Sequence, residues 1–304
     1  MYGPFVELKF FLRVIELGSV RAVARESGVE PSSVSRRMTG LEGRLGTKLL
    51  ERAHAKTRPT EAGRRFYDRI RVLLAQIDAV EAEIGGETET PRGLLRVNTT
   101  IDFGQIHASG WLLEFKRLHP PVDVELTLSA RNIDLVAEGV DVAIRIGRQP
   151  DSALMSRSLA GVPRVLVAAP SYLKQRGLPV RPSDLSDHEH IFFLPETKYQ
   201  PLRLTGPDGN THDVHRRGGV TINAIMPVVE AVRQGFGIHL GPRWAFQQAL
   251  QAGDVVEVLP DYTSPAMPMM AVWAPAVYVP ARIRAFIDFA AQKVRSIPGL
   301  ETRR

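Results

Sequence analysis

The stretch from Val20 to Leu45 constrains the fold of this chain more than any other. Ser19 is suited to cap a short first helix, and Gly28 is suited to end that helix in a left-handed turn. Pro31 suits the first turn of a second helix, because its missing N–H would have no partner there. Apolar residues recur along one side of that second helix: Val34, Met38, Leu41 and Leu45. The pattern predicts two helices joined by a tight turn, the second with one buried face.

The opposite face of the second helix carries hydroxyl and guanidinium groups and no carboxylate: Ser32, Ser33, Ser35, Arg36, Arg37, Thr39 and Arg44. Such groups contact the phosphates and base edges of DNA. We therefore predict a recognition helix that binds DNA through Ser32, Ser33, Ser35, Arg36 and Arg37. Bidentate contact with guanine is one role for the two arginines and phosphate contact is the other, and we favour phosphate for Arg37. The alternative is an ordinary helical hairpin with a solvated polar face.

The flanking segments extend this pair of helices to a winged module. Apolar residues between Phe5 and Leu17 share one side of a helix that can cover the pair. Leu49–Arg52 and Thr57–Arg58 are predicted as two short strands around a turn. This wing offers three basic side chains to phosphates or to a minor groove, namely Arg52, Lys56 and Arg58. Residues 1–59 are thus predicted to form a mainly α winged helix-turn-helix DNA-binding domain.

The distribution of charge supports a nucleic-acid partner for this part of the chain alone. The formal net charge of the 304 residues is +6, and residues 1–65 hold 13 Lys and Arg against 7 Asp and Glu, which is the whole excess. The remainder is neutral, with 26 of each sign. A basic module followed by a neutral one indicates that only the first part meets an acidic polymer, where it releases counterions from phosphates.

A heptad pattern follows Thr60, which is placed to cap a long helix. The seam alternates spacings of four and three: Phe66, Ile70, Leu73, Ile77, Val80 and Ile84. So narrow a stripe suits a partner helix, so these residues are predicted to pair two copies of the chain. The alternative is packing on the chain's own second domain. Residues 60–91 are predicted as the dimerisation helix and a Gly-containing hinge.

Residues 92–304 change to short apolar strands alternating with helices, which is typical of an α/β domain with parallel strands. We predict two lobes, the first from about 92–162 and 267–304 and the second from about 163–266. The predicted helices include Asn132–Glu138, Tyr172–Arg176 capped by Ser171, and Ala224–Gln234. The final strand and helix, Met269–Ala274 and Arg282–Val294, are assigned to the first lobe.

The order of these parts resembles the LysR-type transcriptional regulators over essentially the whole chain. The resemblance is carried by the following motifs: Phe10-Phe11, Glu16–Ser19, Pro31–Met38, Arg44–Gly46, Leu49–Arg52, Pro59–Gly63 and Asp134–Gly147. It implies a DNA-binding dimer or tetramer joined through linker helices, with a two-lobed periplasmic-binding-protein-like domain that senses a small molecule. Pro31 stands where many members carry Gln, so base contacts are expected to depend on the serines and Arg36.

Two helix N-termini suggest where an effector binds, because their N–H groups and dipole attract anions. They follow strands at Thr99-Thr100 and at Asn223-Ala224. The family resemblance places both at the cleft between the lobes, together with Ser129, Arg145 and Ile146. We therefore hypothesise a carboxylate-bearing effector in that cleft. The alternative is that these residues only cap helices.

Several other classes of function lack a motif. The chain has no cysteine, which excludes disulfides and thiolate metal sites. One mixed group contains residue types that bind metals, but its spacing favours a solvated surface: His188, Glu189, His190, His212, Asp213 and His215. No nucleophile elbow, phosphate loop or dinucleotide fingerprint is present, so we expect neither an enzyme nor a cofactor. No apolar run has the roughly 20 residues of a membrane span, and we expect a cytoplasmic protein.

Together these features predict a sequence-specific transcriptional regulator that binds a pseudo-palindromic site on double-stranded DNA as a homodimer or homotetramer. A small, anionic effector is expected to modulate that binding, and RNA polymerase is a possible further partner. One alternative is an effector-independent architectural repressor of the same build. The other, from a different class, is a solute-binding or enzymatic α/β protein with an incidental basic head.

Overall fold

The computed structural model describes residues 4–53, 56–84, 90–129, 133–147, 154–194, 200–275 and 279–302. It divides into two compact units. Unit 1 comprises Met1–Pro91, Asp134–Asp141 and Ala274–Arg284. Unit 2 comprises Arg92–Ile133, Val142–Trp273 and Ala285–Arg304.

Unit 1 begins with the helices and wing that the sequence predicts. Its elements are α1 (Pro4–Leu17), α2 (Val20–Glu26), α3 (Pro31–Leu45), β1 (Leu50–Ala53), β2 (Lys56–Pro59) and α4 (Glu61–Ile84). Ser19 Oγ accepts a hydrogen bond from the Ala22 N–H at 3.3 Å, and Thr60 Oγ1 accepts one from the Gly63 N–H at 2.9 Å. Gly28 has a φ of +64°, as its predicted place at the end of α2 requires.

A small core joins α1, α2, α3 and the start of α4. Its fully buried members come from all four helices and the segment before β1: Phe11, Val14, Val23, Val34, Leu41, Leu49 and Tyr67. The predicted stripe of α3 is buried at three of its four positions, and the prediction for Leu45 is wrong because that side chain is 41% exposed. Helix α4 approaches β1 so closely that a Cβ on Gly63 would lie 1.9 Å from the Leu49 carbonyl oxygen. Only glycine fits there.

The segment Asp134–Asp141 belongs to unit 1 and contains no helix in the part that is described. Leu135–Gly139 forms a single turn, so the predicted helix over Asn132–Glu138 is wrong, and residues 130–132 lie outside the described residues. Asp134 Oδ1 accepts hydrogen bonds from the Val136 and Ala137 N–H groups at 2.9 and 3.1 Å. The Asp134 carboxylate thus caps the start of the turn, and Gly139, with a φ of +64°, ends it after a single turn.

Unit 2 holds the alternating strands and helices. The first part contains β3 (Gly93–Thr99), α5 (Ile101–Phe103), a π-helical turn (Gly104–Ala108), α6 (Ser109–Leu118), β4 (Val122–Leu128), β5 (Val142–Ile146) and β6 (Met155–Val162). The middle contains β7 (Arg164–Ala168), α7 (Pro170–Arg176), β8 (Glu189–Phe193), β9 (Leu202–Thr205), β10 (Thr211–Val214), β11 (Arg217–Ile222) and α8 (Ile225–Arg233). The last part contains β12 (His239–Pro242), α9 (Arg243–Ala252), β13 (Val256–Glu257), β14 (Met267–Trp273) and α10 (Ala281–Lys293).

The first lobe is built on a five-stranded sheet in the order β4-β3-β5-β14-β6. Strands β4, β3 and β5 are parallel, as predicted, whereas β14 is antiparallel to both β5 and β6. The pairing of β14 confirms that the last strand belongs to this lobe. Helix α10 packs on the same lobe, because the ring centroid of its Phe286 lies 5.4 Å from that of Phe115 on α6. Strand β6 was absent from the sequence prediction.

The second lobe combines an antiparallel sheet, β12-β7-β13, with the parallel pair β8 and β11 and the predicted hairpin of β9 and β10. Helix α7 begins at Pro170 with Ala169 as its N-cap, so Ser171 is not the cap that the sequence suggested. Helix α9 was not predicted. It buries Trp244, Phe246 and Ala249. Among the described residues, no helix is both long enough and apolar enough to cross a membrane.

Candidate functional site

Helix α3 presents the polar face that the sequence assigned to DNA. Ser32 and Arg36 are exposed, and Ser33, Ser35 and Arg37 are half-buried. The apolar side of the same helix is fixed in the core by Val34, Met38 and Leu41, which orients the polar side away from unit 1's interior. The arrangement can therefore offer hydroxyls and guanidiniums to a duplex.

The two arginines of α3 are held differently. Arg36 Nε lies 3.4 Å from the Ser32 carbonyl oxygen, which is a long hydrogen bond to its own helix. The Arg37 guanidinium lies over the Phe10 ring, 5.4 Å from its centroid, and is thereby docked on α1. Arg36 thus keeps the reach that base contact needs, while the position of Arg37 suits a backbone contact. Their DNA roles remain predictions.

The carboxylates nearest the end of α3 are already engaged. Glu42 accepts hydrogen bonds from the Lys48 ammonium at 2.7 Å and from the Leu49 and Leu50 N–H groups at 2.9 and 3.0 Å. Burial opposes the ionisation of Glu42, but these hydrogen bonds outweigh it and lower its pKa. Arg44 pairs with Glu7 at 3.1 Å, so it belongs to the packing of α3 on α1.

The wing is present as a two-stranded antiparallel hairpin in which Leu50 pairs with Pro59 and Arg52 pairs with Thr57. The Thr57 N–H donates to the Gly18 carbonyl oxygen at 2.9 Å, which fixes the wing beside the turn before α2. Arg58 is exposed. The side chains of Arg52 and Lys56 lie outside the described residues, so the predicted wing contacts remain predictions.

Only part of the predicted heptad seam of α4 is available on the surface. Leu73 is 52% exposed, whereas Phe66 packs against the unit 1 core with its ring 5.4 Å from that of Phe11. Ile70 and Ile77 are half-buried, and the side chains of Val80 and Ile84 lie outside the described residues. The pairing of two α4 helices therefore stays a prediction, and its best candidate contact is Leu73.

Another side of α4 is anchored within unit 1 by an ion pair. Arg71 Nη1 lies 2.8 Å from Asp141 Oδ1, and both side chains are buried, with 6% and 5% exposure. Arg71 Nη2 also donates to the Gly139 carbonyl oxygen. Arg282 at the start of α10 adds a second cation 3.7 Å from the same carboxylate. The sequence prediction missed this cluster because its members are far apart in the chain.

A cavity of about 330 Å³ lies between the two lobes of unit 2. Its walls come from both lobes and are mostly apolar: Thr100, Asp102, Ile146, Arg164, Ile191, Phe193, Gln200, Pro201, Leu202, Arg203, Arg216, Ile225, His239, Leu240, Pro242, Trp244, Pro265 and Met267. The volume is at the low end of the roughly 300–1,000 Å³ typical of small-molecule sites. The cavity is therefore the candidate effector site.

The structure brings two of the seven predicted effector residues to this cavity, Thr100 and Ile146. The other five are not among its lining residues: Thr99, Ser129, Arg145, Asn223 and Ala224. Arg145 is buried, with its Nη1 2.5 Å from the Asn98 side-chain oxygen, and desolvation lowers its pKa. Thr99 is fully buried, and Asn223 is exposed.

The N-terminus of α8, where the sequence suggested an effector anion, already holds a carboxylate of the chain. Asp102 accepts hydrogen bonds from the Ile225 N–H at 2.8 Å and from the Met226 N–H at 3.1 Å. These are N–H groups of the first turn, which have no partner inside the helix. Asp102 is 8% exposed and comes from the first lobe, so it ties the two lobes together beside the cavity.

Two arginines supply positive charge to the cavity, and the sequence prediction missed both. Arg164 donates to the Pro265 carbonyl oxygen at 3.1 Å and to Ser264 Oγ at 2.7 Å. Arg216 donates to the Gln200 carbonyl oxygen at 3.2 Å, and its guanidinium lies 5.2 Å from the Phe192 ring centroid. Burial lowers the pKa of both groups, and the charge of Arg164 lowers that of Arg216 further. The two cations are thus close enough to repel each other.

The wall also contains a third arginine, Arg203, which pairs with Asp213, and neutral ring groups. His239 Nδ1 lies 2.8 Å from the Ile191 carbonyl oxygen, and its Nε2 has no hydrogen-bond partner among the described residues. Burial lowers the pKa of His239 to about 4, so the ring is uncharged at pH 7. Trp244 contacts Phe103 and His107 of the first lobe, with centroid distances of 5.7 and 5.5 Å, and carries the apolar wall across the lobe boundary.

The histidine-containing group considered for metal is dispersed. His188 and His190 are buried, which corrects the expectation of a solvated surface for them. His188 Nδ1 lies 3.2 Å from the Tyr172 hydroxyl, and His190 Nε2 lies 2.9 Å from the Leu185 carbonyl oxygen. Within the described ranges, no three His, Cys, Asp or Glu side chains are grouped so that they could hold a metal ion.

This combination of a winged helix-turn-helix module with a two-lobed, cavity-containing α/β unit defines the class of ligand-responsive DNA-binding regulators. Residues 5–64 match the family model for the bacterial regulatory helix-turn-helix protein of the lysR family, and residues 88–295 match the LysR substrate binding domain. The chain belongs to the LysR family of transcriptional regulators. It is a DNA-binding regulator with an effector-binding domain, and the family is not one of enzymes.

Individual relatives agree over nearly the full length. The chain is 32% identical to "Probable HTH-type transcriptional regulator LtrA" of Klebsiella pneumoniae, covering 96% of this chain and 95% of that protein. It is 31% identical to the HTH-type transcriptional activator AaeR of Escherichia coli (strain K12), covering 92% and 91%. The full-length structure of the Vibrio cholerae virulence activator AphB superposes with a TM-score of 0.58 at 28% identity, covering 95% of this chain and 99% of that chain.

Proposed function

We propose that this regulator binds a pseudo-palindromic DNA site as a homo-oligomer through α3 and the wing, and that a small anionic effector in the inter-lobe cavity alters that binding. The observation that carries the DNA part is the polar face of α3, where Arg36 and Ser32 are exposed while the other face is fixed in the core. The observation that carries the effector part is the cavity with Arg164 and Arg216 in its wall. From the DNA-binding role we infer a location with the chromosome, in the cytoplasm.

Footprinting on the intergenic DNA beside the protein's own gene tests the DNA part. Protection is expected there and should weaken as salt rises, with a slope of roughly 0.9 in log K per log salt for each phosphate contact. Arg36→Ala should weaken binding by about 1–3 kcal/mol if Arg36 reads one base through two hydrogen bonds. Arg176→Ala is the matched control, because Arg176 is an exposed arginine of α7 in unit 2 and its substitution removes the same charge. Equal effects of the two substitutions, or binding that salt does not weaken, would contradict the proposal.

Sedimentation of the full chain tests the assembly. Leu73→Glu places a charge on the exposed part of the α4 seam and should shift the protein towards monomer. Leu178→Glu is the control, because Leu178 is an apolar residue of the second lobe with 61% exposure. If Leu73→Glu leaves the oligomer intact, α4 is not the pairing surface.

Effector coupling requires a ligand whose affinity differs between two states of the assembly. Footprints recorded with and without small carboxylates are expected to differ in extent or in affinity. An unchanged footprint with every ligand that binds the cavity would favour the effector-independent repressor.

A further inference from the structure

The wall of the inter-lobe cavity contains both cationic and apolar side chains, and this combination specifies a ligand. Arg164 and Arg216 form its cationic part, whereas Ile191, Leu240 and Met267 belong to its apolar wall. Among the described residues, the hydrogen-bond partners of Arg164 are the neutral oxygens of Pro265 and Ser264, and no carboxylate pairs with it. Arginine is the side chain best shaped to bind a carboxylate through two parallel hydrogen bonds.

The alternative anion site in this cleft is closed to a ligand. Asp102 accepts the N–H groups of Ile225 and Met226, so the N-terminus of α8 holds a carboxylate already, and that carboxylate is 8% exposed. A second anion beside it would meet like charge at close range. An anionic ligand is therefore directed away from α8 and towards the two arginines.

We propose that the cavity binds an apolar carboxylic acid as its anion, with the carboxylate at Arg164 and Arg216 and the hydrocarbon part against Ile191, Leu240 and Met267. This inference rests on the proposed function in that it takes the cavity to be the effector site. It deepens that function by fixing the class of ligand and the two side chains that hold its charge.

The electrostatics of the wall support this class. Burial lowers the pKa of both Arg164 and Arg216, and the charge of Arg164 lowers that of Arg216 further, so a carboxylate bound by both would stabilise their charged forms. His239 is neutral, and the third arginine of the wall, Arg203, pairs with Asp213, so neither calls for a second negative charge on the ligand.

The apolar part of the wall disfavours the more polar candidates. A sugar or a polyhydroxylated acid would bury hydroxyl groups against aliphatic side chains, and each unpaired hydroxyl costs free energy. A cavity of about 330 Å³ equals on the order of ten water molecules of liquid volume. This size suits a single ring or a short chain with one acid group.

Calorimetric titration of the full chain tests the proposal with benzoate and hexanoate as the apolar acids, benzamide as the neutral isostere of benzoate, and succinate as a dianion without an apolar end. At least one apolar acid is expected to bind at millimolar concentration or below. Benzamide and succinate are expected to bind at least about 10-fold more weakly, since each lacks one of the two matched parts. If benzamide binds as well as benzoate, if succinate binds more tightly than both acids, or if neither acid binds, the proposal is wrong.

Substitutions locate the carboxylate. Arg216→Met and Arg164→Met are each expected to weaken the apolar acid by about 10- to 100-fold, because each removes a charged hydrogen-bonded partner. Arg164→Lys keeps a cation on β7 if Arg164→Met fails to fold, and a partial loss of affinity is expected for it. Arg176→Met is the matched control, because Arg176 is an exposed arginine of the same lobe and is not among the residues that line the cavity. Equal losses in Arg176→Met and Arg216→Met would overturn the assignment.

The two proposals fail separately in this design. An apolar acid that binds through Arg164 and Arg216 but leaves the DNA footprint unchanged supports this inference and removes the effector coupling of the proposed function. A footprint that responds to a different small molecule, while no apolar acid binds, overturns this inference and leaves the regulator intact.

Discussion

Removal of one partner from the buried pair of Arg71 and Asp141 should cost far more stability than removal of one partner from an ion pair on the surface. The two side chains are 6% and 5% exposed, and Nη1 lies 2.8 Å from Oδ1. Asp141→Asn removes the negative charge and leaves the Arg71 guanidinium buried, with its hydrogen bond to the Gly139 carbonyl oxygen but without the Asp141 carboxylate. A second cation, Arg282, lies 3.7 Å from the former carboxylate position. Removal of one partner from a buried pair costs about 3–5 kcal/mol, so a loss of that size is expected.

Urea denaturation followed by circular dichroism measures this loss, read from the change in the midpoint of the transition that unit 1 produces. The matched control is Asp213→Asn, which breaks the pair with Arg203 in which the side chains are 62% and 44% exposed. A surface pair of this kind contributes about 0–1 kcal/mol, so the control should change the midpoint little.

A double substitution separates the charge from the packing. Arg71→Met combined with Asp141→Leu removes both charges of the close pair, and it should recover most of the stability that Asp141→Asn removes, because the Arg71 guanidinium is no longer buried without the Asp141 carboxylate. Arg282 loses only its longer contact of 3.7 Å. A loss below about 1 kcal/mol for Asp141→Asn, or a double variant as unstable as the sum of the single ones, would refute the reasoning.

Three further measurements test other parts of the structure. Burial lowers the pKa of His190 and of His239 from 6.5 to about 4, so between these values the unfolded chain binds protons that the folded chain does not. The stability that the neutral rings provide is therefore complete above pH 6.5. It should fall as pH drops from 6.5 towards 4, by up to about 1.4 kcal/mol per pH unit for each ring. Urea midpoints across that range should show this slope, and His239→Asn, which keeps a donor for the Ile191 carbonyl oxygen, should reduce it by about half. Gly63→Ala should destabilise the protein by about 1–3 kcal/mol in thermal unfolding, because the new Cβ would lie 1.9 Å from a carbonyl oxygen. Gly43→Ala is the control: its Cβ would meet nothing within 4 Å, so it should stabilise α3 by up to about 1 kcal/mol. Asp102→Ala should cost about 1–2 kcal/mol because it removes the α8 cap, and a variant as stable as the parent would show that the hydrogen bonds to α8 contribute nothing.

The amino-terminal module could be predicted almost element by element because its signals are local. The caps at Ser19 and Thr60, the proline that opens α3 and the left-handed glycines each act on residues within one helical turn. Leu45 is the exception, since the end of a stripe is buried only if a neighbour reaches it.

The carboxyl-terminal unit was predictable as an α/β fold but not in its pairing. Strand β14 lies antiparallel between β5 and β6, and a strand pattern carries no information about the direction of its partner. Helix α9 was missed because its buried residues include three in succession, Trp244, Ala245 and Phe246, which do not form a regular helical stripe.

The cavity was the least predictable part. Asp102, Arg164 and His239 come from α5, β7 and β12, Arg216 lies between β10 and β11, and no periodicity or spacing connects the four. The expectation of an anion at α8 was chemically sound, but the anion is Asp102. Its identity depends on the folding of one lobe against the other, which sequence patterns do not report.

Because Asp102 of the first lobe caps α8 of the second, the chain's own carboxylate makes a joint between the lobes beside the cavity. The hydrogen bonds of Arg164 to Pro265 and Ser264, and that of Arg216 to Gln200, stay within the second lobe. Substitution of these arginines should therefore change which small molecule binds while the joint made by Asp102 is kept.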